Sequence, residues 1–190
     1  MPSRPLLKAD RRPGTWDRGL DYDKLYRTLT GMLREHRRRG AWRSFCYASV
    51  LLIQLRNGSR VSEALEAALA FAREGRREVY IEVRKRRDGL KRLMVLPREL
   101  SLDDMAACSS ILDTPRDGRG RRLSLFRVDL YARRRLGVNT HSLRYAFITR
   151  MLREGVHPAV IAKITGHSKL DYILRYTQMK RAEEILRGLG

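Results

Sequence analysis

Five side chains, far apart in the sequence, have the types and neighbours needed for chemistry on an anion: Arg60, His141, Arg144, His167 and Tyr176. In NGSRVSEAL (57–65), Arg60 follows a glycine turn and opens a helical segment, with Glu63 three residues on. At that spacing a carboxylate can hold a guanidinium still. In NTHSLRYAF (139–147), His141 and Arg144 stand one helical turn apart behind Asn139 or Thr140 as N-cap. Free N–H groups and the positive dipole end at such a helix start suit an anionic oxygen. In GHSKLDYILRY (166–176), His167 follows a glycine fit for a left-handed helix cap, and Tyr176 lies two turns into the next helix. A tyrosine hydroxyl with a pKa of about 10 attacks only if something takes its proton or steadies the charge it develops.

Singly, each residue has an ordinary structural reading. Arg60 and Glu63 read as a surface ion pair, His141 as a capping histidine, and Tyr172 with Tyr176 as cover for one apolar face. His36 and His157 show no partner and are read as structural.

The elements that must carry these residues are mostly helical. Tyr22, Leu25, Tyr26, Leu29, Met32 and Leu33 form an i, i+3, i+4, i+7 stripe. Residues 42–56 predict a more apolar helix, broken at Asn57-Gly58, and 60–73 a third, rich in Ala, Leu and Glu. The period then changes to two. Val79, Ile81 and Val83 alternate with polar residues, Leu93 to Leu96 is a short apolar run, and Asp88-Gly89 marks a hairpin tip. Lys85 continues the parity of the first strand at the root of that hairpin, although a lysine among six basic residues in 84–92 is ordinarily solvated. Helical patterns return at 101–113, 124–136, 140–153, 158–165 and 169–187. The expected fold is mainly α with a small antiparallel β-sheet (α+β).

Bulk composition agrees with a folded polyanion binder. Forty-one basic against 21 acidic residues leave a formal charge of +20, and 43% hydrophobic content supports a core. Of the basic residues 34 are Arg and 7 Lys. The planar guanidinium grips two phosphate oxygens at once, and GC-rich coding gives the same bias. Residues 1–20, with three prolines, two glycines and five basic residues, read as a loose basic tail, and 21–190 as one domain. No apolar run approaches the ~20 residues of a membrane span, and no signal peptide is visible, which points to the cytoplasm. Cys46 and Cys108 sit singly in apolar segments. They read as two buried thiols, with a single disulfide left open. The four His and two Cys show no zinc-ligand spacing.

Taken together, GxR(x2)E, a lysine hairpin, HxxR, and GH with a tyrosine nine residues later resemble the tyrosine recombinase (phage integrase) family over about residues 42–180. HSLRYAF followed by ITGHSKLDYILRYTQ carries most of that likeness. The resemblance implies that Tyr176 attacks a scissile phosphate of double-stranded DNA and becomes 3′-phosphotyrosyl DNA. It implies that Arg60 and Arg144 hold the non-bridging oxygens, that His141 and His167 supply hydrogen bonds and move protons, and that Lys85 protonates the departing 5′-oxygen. It implies no metal, no small-molecule cofactor, assembly as a homo-oligomer on DNA, and a nucleoid setting. The basic runs become phosphate contacts, with Arg84, Arg86, Arg87, Lys91, Arg119, Arg121 and Arg122 as candidates.

The match departs from the family in three places. Some 40 residues precede it, so the family's separate N-terminal core-binding domain is expected to be absent. The hairpin is longer than the usual form, which makes Lys91 a substitute for Lys85. RAEEILRGL, after Tyr176, reads as a short helix able to dock on a neighbouring subunit. Two rival readings stand. A type IB topoisomerase would share the first step and relax DNA. A non-catalytic helix-turn-helix protein would use Ala162, Gly166 and Ser168 at the turn and Arg175 on the recognition helix.

Overall fold

The computed structural model describes residues 20–83, 89–167 and 187–188. Among them the order is α1 (Tyr22–Arg38), α2 (Trp42–Asn57), α3 (Val61–Glu74), β1 (Glu78–Glu82), β2 (Lys91–Val95), α4 (Leu102–Leu112), α5 (Leu123–Leu136), α6 (Thr140–Arg153) and α7 (Pro158–Thr165). The architecture is mainly α with one two-stranded antiparallel sheet.

Helix α2 is the axis. From Phe45 to Leu55 it is buried on nearly every side, as a helix enclosed by neighbours must be. Residues such as Phe45, Val50, Leu51, Leu52, Ile53 and Leu55 are fully buried. Helices α1, α3, α4, α5 and α6 pack around it. The surrounding helices are amphipathic: α1 buries Leu25, Leu29, Met32, Leu33 and His36, and α5 buries Val128, Tyr131, Ala132 and Leu136. Side-chain caps start four of them. Asp21, Ser101 and Asn139 accept backbone N–H bonds at the starts of α1, α4 and α6, and the His157 ring does so for α7 ahead of Pro158. His36 is buried against Tyr131, its Nε2 2.7 Å from the phenol oxygen.

The hairpin packs on α3, with Val79 opposite Met94 and Ile81 opposite Arg92. Val79, Met94 and Arg92 are buried while Tyr80, Lys91 and Leu93 are exposed, which is the period-two division of a half-covered sheet. The tip residues 84–88 lie outside the described residues. A smaller apolar cluster, Phe147, Ile148, Leu152, Ile161 and Ala162, joins α6 to α7.

Cys46 and Cys108 correct the two-thiol reading: they form a disulfide between α2 and α4. Their Cα atoms approach to 5.4 Å because the two helices pack face to face, a proximity that 62 residues of sequence separation conceal. Among the described residues no helix is long and apolar enough to cross a membrane.

Candidate active site

The C-terminal end of α2 organises the site. Gly58 closes that helix with φ at 55°, and a Cβ there would sit 2.2 Å from Cδ1 of Phe147, so glycine is required on both grounds. The chain turns into Arg60, the N-cap of α3, in extended backbone with φ −74° and ψ 150°. Glu63, only 1% exposed, accepts from the Arg60 backbone N–H at 3.1 Å and from its Nη1 at 2.9 Å. One carboxylate therefore fixes both the turn and the guanidinium.

Two buried amides at the end of α2 tie this turn to its neighbours. Asn57 pairs with the backbone of Val95 like a further strand, donating to the carbonyl at 3.0 Å and accepting from the N–H at 2.9 Å. Gln54 donates to Ser59 O at 3.3 Å and to Thr140 O at 2.9 Å. The carbonyl just before Arg60 and the carbonyl just before His141 thus share one side chain.

On α6 the Asn139 cap accepts from Ser142 N at 3.0 Å and sets His141 and Arg144 in the first two turns. His141 is exposed, its ring edge-on to Tyr145 at 4.8 Å between centroids. Arg144 is the reverse: 1% exposed, among the largest fully buried side chains. Its Nη2 lies 2.9 Å from Nε2 and 3.1 Å from Nδ1 of His167, whereas Nη1 is buried with no hydrogen-bond partner among the described residues.

His167 follows the left-handed Gly166 that ends α7, a glycine pressed against Val83. The hydroxyl of Thr165 donates to Ile161 O at 2.6 Å and lies 2.7 Å from Nδ1 of His167. With its hydrogen already committed, that hydroxyl accepts from Nδ1–H, which leaves Nε2 as the ring's acceptor. Neutral His167 is favoured electrostatically as well. Burial, then the charges of Arg144, Arg60, His141 and Arg92, push it down to about 3. Burial, with repulsion from Arg60 and Arg92, likewise pushes Arg144 down to about 10, leaving it a cation at neutral pH.

The charges of Arg60, His141 and Arg144 therefore all act on His167, and a further cation, Arg92, acts with them. Arg92 on β2 is 6% exposed. It donates to Asn57 O at 2.6 Å, to Thr165 O at 3.2 Å and to Glu63 at 3.4 Å. Glu63 bonds the guanidiniums of Arg60 and Arg92, and its charge also acts on Arg144. Such a site gains from receiving an anion, and the unpartnered Nη1 is a donor ready for it.

Relatives of known class match the chain. The phage integrase family model matches residues 125–183. "Putative integrase ORF241" of Acidianus two-tailed virus is 37% identical over 187 residues, which are 98% of this chain and 73% of the viral protein. This chain belongs to the phage integrase family. Two solved structures share the fold. The XerA recombinase superposes with a TM-score of 0.54 at 20% identity, over 88% of this chain and 62% of its own length. The XerH site-specific recombinase, bound to its difH substrate before cleavage, gives 0.53 at 16%, over 87% of this chain and 51% of its own.

For this integrase-family chain, Arg60, Glu63, His141, Arg144 and His167 come together, whereas Tyr176, Lys85, Arg84, Arg86 and Arg87 lie outside the described residues. Lys91, exposed at the start of β2, lines a cavity of about 890 Å3 with Arg92, Phe147, Ile164 and His167. Arg119 and Arg121 are exposed. Arg122 is not presented in that way: its guanidinium is turned inward onto Asp113, Glu66 and Thr114 O. Among the described residues no His, Cys, Asp and Glu side chains gather as metal ligands would. Gln54, Asn57, Arg92 and Thr165 escape the sequence reading. Of these only Arg92 leaves a signal, sharing the strand parity of the apolar Met94 and Leu96 inside a run that otherwise reads as solvated charge.

Proposed function

We propose that the protein cleaves and rejoins double-stranded DNA as a site-specific recombinase through a covalent 3′-phosphotyrosyl intermediate. The Tyr176 oxygen attacks phosphorus, the bond to the 5′-oxygen breaks, and the 5′-strand leaves as a hydroxyl. One phosphodiester replaces another, so rejoining needs no external energy. The carrying observation is the buried guanidinium of Arg144, whose Nη1 has no hydrogen-bond partner among the described residues while its Nη2 meets His167, on which Arg60 and His141 also act.

Arg60 and Arg144 neutralise the two non-bridging oxygens as charge builds on the pentacovalent phosphorus, with the Glu63 contact keeping Arg60 in place. His167, with Nδ1–H on Thr165, takes the phenol proton at Nε2 as Arg144 Nη2 turns from that nitrogen to the phosphate. Burial first, then Arg144 and Arg60, hold His167 below its ordinary range; the phosphate's negative charge offsets the two arginines and so raises its basicity. His141, exposed at the helix start, donates to a phosphate oxygen. Lys85, or Lys91 from the same hairpin, gives a proton to the 5′-oxygen. Exposed Arg119 and Arg121, with Arg84, Arg86 and Arg87, contact the DNA backbone, and copies of the protein assemble on the DNA.

The test is strand cleavage of a duplex nicked beside its target, with EDTA present throughout. Arg60→Ala and Arg144→Ala are each expected to slow cleavage by about two to three orders of magnitude while DNA binding changes much less. Parallel loss of binding and cleavage would make them ordinary phosphate contacts, and abolition of wild-type activity by EDTA would require another mechanism.

A further inference from the structure

We propose that Arg92 is a positioning residue for strand cleavage: its buried guanidinium holds the segments that carry Arg60 and His167 in fixed relation to each other. The proposal rests on the recombinase reading above. Its basis is where the three acceptors come from. Asn57 O is the last carbonyl of α2, one turn before Arg60; Glu63 lies in the first turn of α3; Thr165 O ends α7, two residues before His167.

Two of these acceptors, Glu63 and Thr165, belong to residues in direct contact with a reacting group. The carboxylate that Arg92 meets through Oε2 holds the Arg60 guanidinium through Oε1. The residue whose carbonyl takes Arg92 Nη1 offers its hydroxyl to Nδ1 of His167. Remove Arg92, and α7 and the α2–α3 turn lose a side chain that hydrogen-bonds to both.

Packing alone does not call for an arginine here. The position pairs with Ile81 and shares the inner face of the strand with Met94, so an unbranched apolar side chain would fill it without the cost of burying a charge. The guanidinium contributes a planar fork able to reach carbonyls on separate elements, which a single ammonium cannot span. Both Nη atoms are spent on protein acceptors, and Nε is buried with no partner among the described residues, so Arg92 orients the groups that meet phosphate.

The experiment compares wild type, Arg92→Met and Arg92→Lys in single-turnover cleavage of the nicked duplex, with DNA affinity and thermal midpoint measured on the same samples. Assays run well below the lowest midpoint. Misplacement by about an ångström costs roughly a hundredfold in rate, so Arg92→Met is expected to cleave about a hundredfold more slowly with affinity within about threefold of wild type. Arg92→Lys, which keeps charge without the fork, is expected to remain at least about tenfold slow, and it answers the question if the methionine variant does not fold. Wild-type rates in a folded Arg92 variant, or full rescue by lysine, would overturn the positioning role. Rate and affinity falling together would overturn it too. Wild type that never cleaves would instead sink the recombinase reading, and this inference with it.

Discussion

A histidine surrounded by guanidiniums should behave unlike a histidine in water, and His167 makes that measurable. Buried and facing Arg144, Arg60, His141 and Arg92, it is held down to about 3. The unfolded chain takes up a proton below about pH 6.5 that the folded site refuses. This group therefore contributes its stability above pH 6.5 and loses it as pH falls towards 3. Nitrogen-correlated NMR of the free protein should show His167 as the Nδ1–H tautomer from pH 8 to pH 5. A titration midpoint near 6.5 would show that the cations do not crowd it. His141, exposed on the same site, was as readable in the sequence as His167, because both stand beside residues that begin or end helices. Arg92 was not. A sequence shows that a cation occurs in a basic run, but only a strand partner and a covering helix show that it is buried.

The elements were legible wherever a local rule sets their ends. Asn57-Gly58 ends α2, Asn139 starts α6 and Gly166 ends α7, each within a residue or so of the sequence expectation. Those same ends position Arg60, His141 and His167, so much of the candidate site could be read from helix boundaries. The ties between elements could not be, since Gln54 reaches Thr140 and Asn57 reaches Val95 across long separations. The Gly58 turn is the sharpest stability test at this scale. Gly58→Ala meets a left-handed backbone and the Phe147 ring at 2.2 Å. It is expected to destabilise the fold by about 1–3 kcal/mol, with a matching drop in thermal midpoint and in cleavage. An unchanged midpoint would mean that the turn and the ring yield at no cost.

At the scale of the whole molecule, the Cys46–Cys108 bridge joins the central helix to α4, away from the hydrogen bonds that define the site. Closing a 62-residue separation restricts the unfolded chain by about 4 kcal/mol in the chain-entropy view. Protein reduced in denaturant and refolded should melt roughly 10 °C lower than the oxidised form, given about 2–4 °C per kcal/mol in a domain of this size. Equal midpoints would deny the bridge a stabilising role. On the proposed reading, the net charge of +20 acts at the same scale, drawing DNA without deciding where it is cut. That decision belongs to the site, and its central claim is the identity of the nucleophile. Trypsin should release Tyr172 within residues 170–175 and Tyr176 within 176–180. After the protein is trapped on a nicked duplex in EDTA and digested, mass spectrometry should find the nucleotide on the 176–180 peptide, linked through a 3′-phosphate. Attachment to the 170–175 peptide, or strand cleavage that leaves no covalent adduct, would contradict the account.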